Sequence, residues 1–352
     1  MSPLKVRLIE QIKQTGPIAL SDYMAQCLMH PEFGYYTSRN PFGTQGDFIT
    51  APEMTQMFGE LIGLSLAQYW QEIGAPNAFI LAELGPGTGT LIADILRATK
   101  SVPGFLEAAR IRLIEGSPTL RARQKQHLQT YDILWKDNLY DLEPLPLFLV
   151  ANEFFDALPI RQFCRHAEGW SETMIGIVKN KLVFGHGPTT QYTALKPQWD
   201  KTKEGDIVET CPSGAAIARD IGHGITQNGG LALIIDYGGT YGRNDTFQAL
   251  RNHAYTDPLE NPGQADLTAH VDFAGLAAAS QPAVAYVMEQ GKWLNRLGIS
   301  ARARALAPLL AETALENHWA ATKRLTDHSE MGSLFKVLAL TAPKAPLAPG
   351  FA

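Results

Sequence analysis

Nowhere in the 352 residues does an apolar run approach the roughly 20 residues that a helix needs to cross a bilayer, so no spanning segment is expected. Cysteine is scarce too: Cys27, Cys164 and Cys211 lie far apart, and no two have the spacing of a metal-binding pair. A disulfide framework and a cysteine zinc site are thereby excluded, and reduced thiols in a reducing compartment are the simplest account. An excess of positive charge is also missing. Thirty Lys and Arg against 35 Asp and Glu leave a net charge of −5, with no electrostatic footprint for nucleic acid. Residues 1–20 lack a secretory apolar stretch, because Lys5, Arg7, Glu10 and Lys13 interrupt it. They lack the acid-poor, Arg- and Ser-rich character of a transit peptide as well, and a cytoplasmic protein is expected. What is present, 45% hydrophobic and 18% charged residues, suits one large α/β domain with insertions or two domains.

The chain is organised around residues 79–94, FILAELGPGTGTLIAD. An apolar, β-branched run leads through Glu83 into Gly85, Gly87 and Gly89, and Leu91, Ile92, Ile95 and Leu96 then keep a helical period. Strand, tight glycine turn and helix in that order hold a nucleoside-bearing cofactor in doubly wound α/β proteins. Further strands are expected at 110–115, 133–135 and 147–151, each followed by helical or turn signals. That alternation argues for right-handed βαβ units and a parallel sheet. It stops at residue 160, where three short strand-like pieces (160–164, 173–178 and 182–184) read as an antiparallel insertion over 160–209. Residues 213–227 and 231–236 resume the core as helix and strand. Residues 237–268 show no periodicity and are a candidate lid. Helices at 272–280 and 293–325 and strands at 283–288 and 334–341 complete the chain. The expected organisation is a helical cap with a covering loop (1–75), a core with insertions (76–342) and a tail (343–352).

The glycine spacing is G-x-G-x-G, with Thr90 where a dinucleotide fingerprint wants glycine or alanine. Pro86 removes one backbone N–H from a loop that should donate to phosphate. No Gly-Lys-Ser/Thr follows, which excludes a P-loop. The charge of Glu83 weighs more. At about 6 Å and an effective dielectric near 20 it contributes roughly 2–3 kcal/mol against a pyrophosphate and in favour of an ammonium and a sulfonium. That is about two orders of magnitude in preference. S-adenosyl-L-methionine is the expected cofactor. Glu115, which ends the second strand, is placed to accept ribose hydroxyls, a feature NAD sites share. Asp137 and Asn138, after the third strand, are placed to meet the adenine edge.

The fourth strand ends on NEFFD, residues 152–156, where a doubly wound sheet opens its crevice. Glu153 and Asp156, with Phe154 and Phe155 between them, can clamp and stack on a guanidinium or an amine. The alternative is that the two rings are core and Asp156 caps a helix. The loop over residues 33–60 mixes aromatics with Asp47 and Glu53, which folded over the top would make the crevice strongly acidic. His270 and Asp272 read as a pair that positions the lid, and no metal is expected.

Five blocks, GDFITAPEMTQMFGE (46–60), ELGPGTGTL (83–91), VANEFFDALPIRQF (150–163), LIIDYG (233–238) and DLTAHVDF (266–273), resemble the MidA-like family of class I S-adenosylmethionine-dependent methyltransferases. They run in the family's order and span most of the chain. The resemblance implies a Rossmann-like, mostly parallel sheet whose last strand is antiparallel, with a helical cap and inserted arms. It implies Gly85, Gly87 and Gly89 as the cofactor loop, Glu115 as the ribose acid and 152–156 as the motif after the fourth strand, with Asn152 turned to the cofactor. It also implies protein arginine methylation, since a mitochondrial member symmetrically dimethylates an arginine of a complex I core subunit. A protein partner bearing arginine is therefore expected. Because a fold does not fix the acceptor, a small-molecule methyltransferase and a non-catalytic assembly module remain alternatives.

Overall fold

A computed structural model describes residues 2–38, 50–239, 242 and 244–351. The chain divides into two compact units. One comprises Met1–Phe48, Asp156–Gly214 and Thr240–Asp272; the other comprises Ile49–Phe155, Ala215–Gly239 and Phe273–Ala352. This differs from the division at residue 75 expected from the sequence. The helix Gln56–Glu72 buries Phe58, Ile62 and Leu66 in the core of the second unit instead of joining a cap.

The second unit is built on seven strands: β1 Phe79–Leu84, β2 Ala109–Ile114, β3 Ile133–Lys136, β4 Leu147–Asn152, β5 Gly230–Gly239, β6 Val284–Glu289 and β7 Phe335–Thr341. Their order across the sheet is β6-β7-β5-β4-β1-β2-β3. β1 to β5 are parallel to their neighbours, while β7 runs antiparallel to both β5 and β6. The continuous burial of β1 and β4 is what a parallel strand covered on both faces requires. Three helices flank the strands that matter here: α1 Gln56–Glu72, α2 Thr90–Thr99 and α3 Pro118–His127. α1 starts after a break at Thr55, whose hydroxyl caps it by accepting from the Met57 N–H at 3.3 Å. The strand order reverses between β1 and β4, the position at which doubly wound sheets bind their ligands.

In the first unit, Pro3–Thr15 starts on Ser2, whose hydroxyl accepts from the Lys5 N–H, and it buries Leu4, Leu8, Ile9 and Ile12. The second helix is Leu20–Met29. Between the two helices, Ile18–Ala19 pairs with Gly169–Val178. The expected antiparallel insertion is present: Gly169–Val178 also pairs with Arg161–His166 and Lys181–His186, and Arg161–His166 pairs with Ile207–Thr210. The stretch expected to be an irregular lid is partly a sheet. Gln248–Arg251 pairs with Ala254–Thr256 and with Asp266–Thr268. Asn252 and His253 both have positive φ, +50° and +61°, which suits a tight hairpin turn. Strands of three and four residues are too short to show a period of two.

Candidate functional site

β1 ends on Leu84 and the next residue turns sharply. Gly85 has φ +57°, and a side chain there would meet the Phe154 ring at 2.7 Å. Gly89 has φ +82° and starts α2; a Cβ on it would sit 3.2 Å from Leu128. The turn is closed by the Gly89 N–H donating to the Pro86 carbonyl at 2.7 Å, and Gly87 lies inside it with φ +54°. In register, Leu84 stands opposite Ala151, so Gly85 and Asn152 leave the sheet side by side.

Glu83 is 3% exposed, and its Oε2 meets no hydrogen-bond partner among the described residues. Burial pushes its carboxyl up to about 8; the Ile92 N–H opposes this and the nearby Glu115 adds to it. Glu83, expected from the sequence to carry a full charge at neutral pH, is instead held toward its neutral form by burial. Asn152 has a second buried acceptor without a partner, its Oδ1. Two orphaned acceptors beside a glycine turn whose backbone a ligand can approach closely fit a ligand bearing an ammonium group.

Glu115 follows β2 and is buried. Its Oε1 accepts from the Ser117 N–H at 2.8 Å and its Oε2 from the Gln124 amide at 3.1 Å. Burial pushes it up, and these hydrogen bonds, with the charge of Arg121, hold it back. Asp137 and Asn138 leave β3 exposed, and Asp137 pairs with Arg121. Beyond β4, Glu153 adopts φ +50°, a left-handed conformation uncommon for a non-glycine residue. Its Oε1 accepts from the Ala51 N–H at 3.3 Å and from the Asn152 amide at 3.1 Å. Glu53 lies two residues beyond Ala51 in the short helix Ala51–Met54. Phe155 is buried in edge contact with the half-buried Phe154, with ring centroids 5.4 Å apart. The rings are thus core and cover at once, closer to the alternative reading than to an open clamp.

Glu53, Glu83, the glycines, Glu115, Asp137, Asn138, Asn152, Glu153, Phe154 and Phe155 all belong to the second unit. Asp156, His270 and Asp272 belong to the first, and Asp47 lies outside the described residues. Asp156 is buried near Tyr36, whose hydroxyl donates to Asp266 at 2.9 Å. Burial, then the charges of Asp266 and Asp156, push the Tyr36 phenol well above its ordinary value. His270 is exposed and donates its backbone N–H to Thr246. Among the described residues no cluster of three or more His, Cys, Asp or Glu could hold a metal ion, and no helix is long and apolar enough to cross a membrane.

Sequence reasoning missed two polar residues. Asp236, fully buried at the end of LIID, accepts from the Phe155 and Tyr237 N–H groups at 3.1 and 2.9 Å and so fixes the exit from β4. Gln124 is fully buried on α3. A signal for it existed: Leu120, Gln124 and Leu128 are spaced by four, so the amide interrupts an apolar stripe.

Residues 61–288 match a family described as "Putative S-adenosyl-L-methionine-dependent methyltransferase". The chain belongs to this family. As a methyltransferase it is 35% identical to "Protein arginine methyltransferase NDUFAF7, mitochondrial" of Bos taurus over 97% of this chain and 83% of that protein. The Homo sapiens protein of the same name is 34% identical with the same coverage. A Burkholderia thailandensis protein solved with S-adenosyl-homocysteine bound superposes with a TM-score of 0.86 at 29% identity, covering 99% of this chain and 93% of that one. The methyltransferase is thus S-adenosylmethionine-dependent, with the class I fold that the resemblance implied. The expected cytoplasmic location does not stand, because these relatives are named mitochondrial. The composition of residues 1–20 could not carry that reading.

Proposed function

We propose that this methyltransferase transfers methyl groups to arginine side chains of a protein, with a respiratory complex I subunit or a similar partner as acceptor and symmetric dimethylarginine as product. The observation that carries the reading is Glu153, an acid in a strained backbone conformation at the mouth of β4, its carboxylate steered by the Ala51 N–H and the Asn152 amide. Relatives named as protein arginine methyltransferases support it over most of their length. The motif runs on to Asp156, which belongs to the first unit.

In this reading Glu83 and Asn152 would take the cofactor's ammonium beside the glycine turn, Glu115 would take its ribose hydroxyls, and Asp137 and Asn138 would flank its adenine. When bound, the cofactor supplies a methyl carbon on a cationic sulfur. A free guanidinium keeps its proton in water, so the protein must align it and remove that proton. Glu153 would orient the guanidinium and take its proton as the nitrogen accepts the methyl group and the donor leaves as S-adenosylhomocysteine. Glu53, in the short helix Ala51–Met54, adds negative charge beside Glu153. Alignment at near-attack distance supplies much of the acceleration.

The test is direct. Purified protein, donor labelled in the methyl group and a protein extract are incubated, and the labelled product is hydrolysed to amino acids. Label in methylated arginine is expected; label confined to lysine, nucleic acid or small metabolites would refute the assignment.

A further inference from the structure

Five hydrogen bonds converge at Glu115 and Gln124, and their polarity is fixed. Trp135, in β3, has a ring N–H that can only donate, and it reaches Gln124 Oε1 at 2.8 Å. The amide nitrogen of Gln124 must therefore face the other way. There it donates to the Gly87 carbonyl at 2.8 Å and to Glu115 Oε2 at 3.1 Å. Both amide protons and the amide oxygen of this fully buried residue are used, and none is left for a ligand. The other oxygen of Glu115 takes the Ser117 N–H at 2.8 Å, and Arg121 donates to the Glu115 backbone carbonyl at 2.6 Å. Ser117, Arg121 and Gln124 thus hold Glu115 at three points, and Gln124 is the one that also reaches the glycine turn.

We infer that Gln124 is the positioning residue for the donor's ribose. It ties the glycine turn to Glu115 and fixes the orientation of the carboxylate that would meet the ribose hydroxyls. The inference rests on reading Glu115 as the ribose acid. It predicts that Gln124 touches no ligand and yet sets how strongly the enzyme distinguishes a ribose from a deoxyribose.

The test uses the full chain and calorimetry with S-adenosylhomocysteine and its 2′-deoxyribose analogue. The unaltered protein should prefer the ribose form by about tenfold or more, the worth of a hydrogen bond to a charged acceptor. Gln124→Met keeps the volume and removes the donors. It should weaken S-adenosylhomocysteine about tenfold while shifting the deoxy analogue less than about threefold, so that the preference collapses. In a Glu115→Gln background the same change should add no further loss of preference. Equal weakening of both ligands by Gln124→Met would mean a merely structural residue and would overturn the inference. Preference lost in Glu115→Gln but kept in Gln124→Met overturns the inference alone. Preference kept in Glu115→Gln overturns the reading of Glu115 and the inference with it. If Gln124→Met does not fold, Trp135→Phe removes the donor that fixes the amide and should lower the preference; an unchanged preference there would equally overturn it.

Discussion

Replacing Glu83 by Gln should make the protein more stable and its donor binding weaker. The carboxyl is held at about 8 against an ordinary 4.5, so between those values it is protonated when folded and ionised when unfolded. Folding then takes up a proton, and stability falls as pH rises from about 4.5 to about 8 before levelling off. At pH 7 that linkage costs about 3 kcal/mol, of which Gln, nearly isosteric and never ionised, is relieved. The variant should melt several degrees higher at pH 7, with the difference shrinking toward zero at pH 4.5. The same change removes the carboxylate proposed to face the donor's ammonium, so binding of S-adenosylhomocysteine should fall by about ten- to a hundredfold. Excess S-adenosylhomocysteine should then raise the melting temperature of the natural protein far more than that of the variant. Thermal scans from pH 4.5 to 8.5, with and without S-adenosylhomocysteine, read all of this. A variant no more stable than the natural protein at pH 7, or one that binds unchanged, would refute the reasoning.

Glu60, buried between α1 and α2, gives the opposite pH sign. Burial pushes its carboxyl up, but Arg302 and Arg97, which donate to it at 2.9 and 2.8 Å, outweigh that and hold it below its ordinary value. Its contribution is present above the ordinary range and is lost as pH falls, so Glu60→Gln should destabilise the protein at pH 7 and converge with it in acid melts. Gly85→Ala combines a left-handed backbone with the Phe154 clash and should lower stability by about 1–3 kcal/mol in denaturant titrations, together with donor binding. Asp236→Ala leaves two buried N–H groups without their carboxylate. It should cost about 1–3 kcal/mol, with a larger loss of turnover than of donor affinity, because the turn it holds carries Glu153.

The parallel core was legible because its strands are apolar on both faces and its glycine turn is dense enough to stand alone. Glu115 and residues 152–156 could be placed for the same reason, each being the first polar residues after a buried strand. The sheet over residues 248–268 was not legible, because three- and four-residue strands carry no periodicity. The boundary of the units was hidden because α1 is as apolar as any cap helix, and only packing shows that it belongs to the second unit. Glu83 was found but given the wrong charge state, since a sequence shows an acid and not its burial. Gln124 interrupts an apolar stripe on its helix, but its role lies in contacts with Gly87 and Trp135, 37 and 11 positions away, which no local pattern shows.

One measurement bears on the central claim most directly. Methyl-labelled donor is incubated with an extract and either the natural protein or a Glu153→Ala/Asp156→Ala variant that still binds S-adenosylhomocysteine, and the modified sites are mapped by mass spectrometry. The account predicts labelled arginine nitrogens on a small set of protein sites with the natural protein and none with the variant. Arginine labelling that survives in the variant, or label found only outside protein, would contradict it.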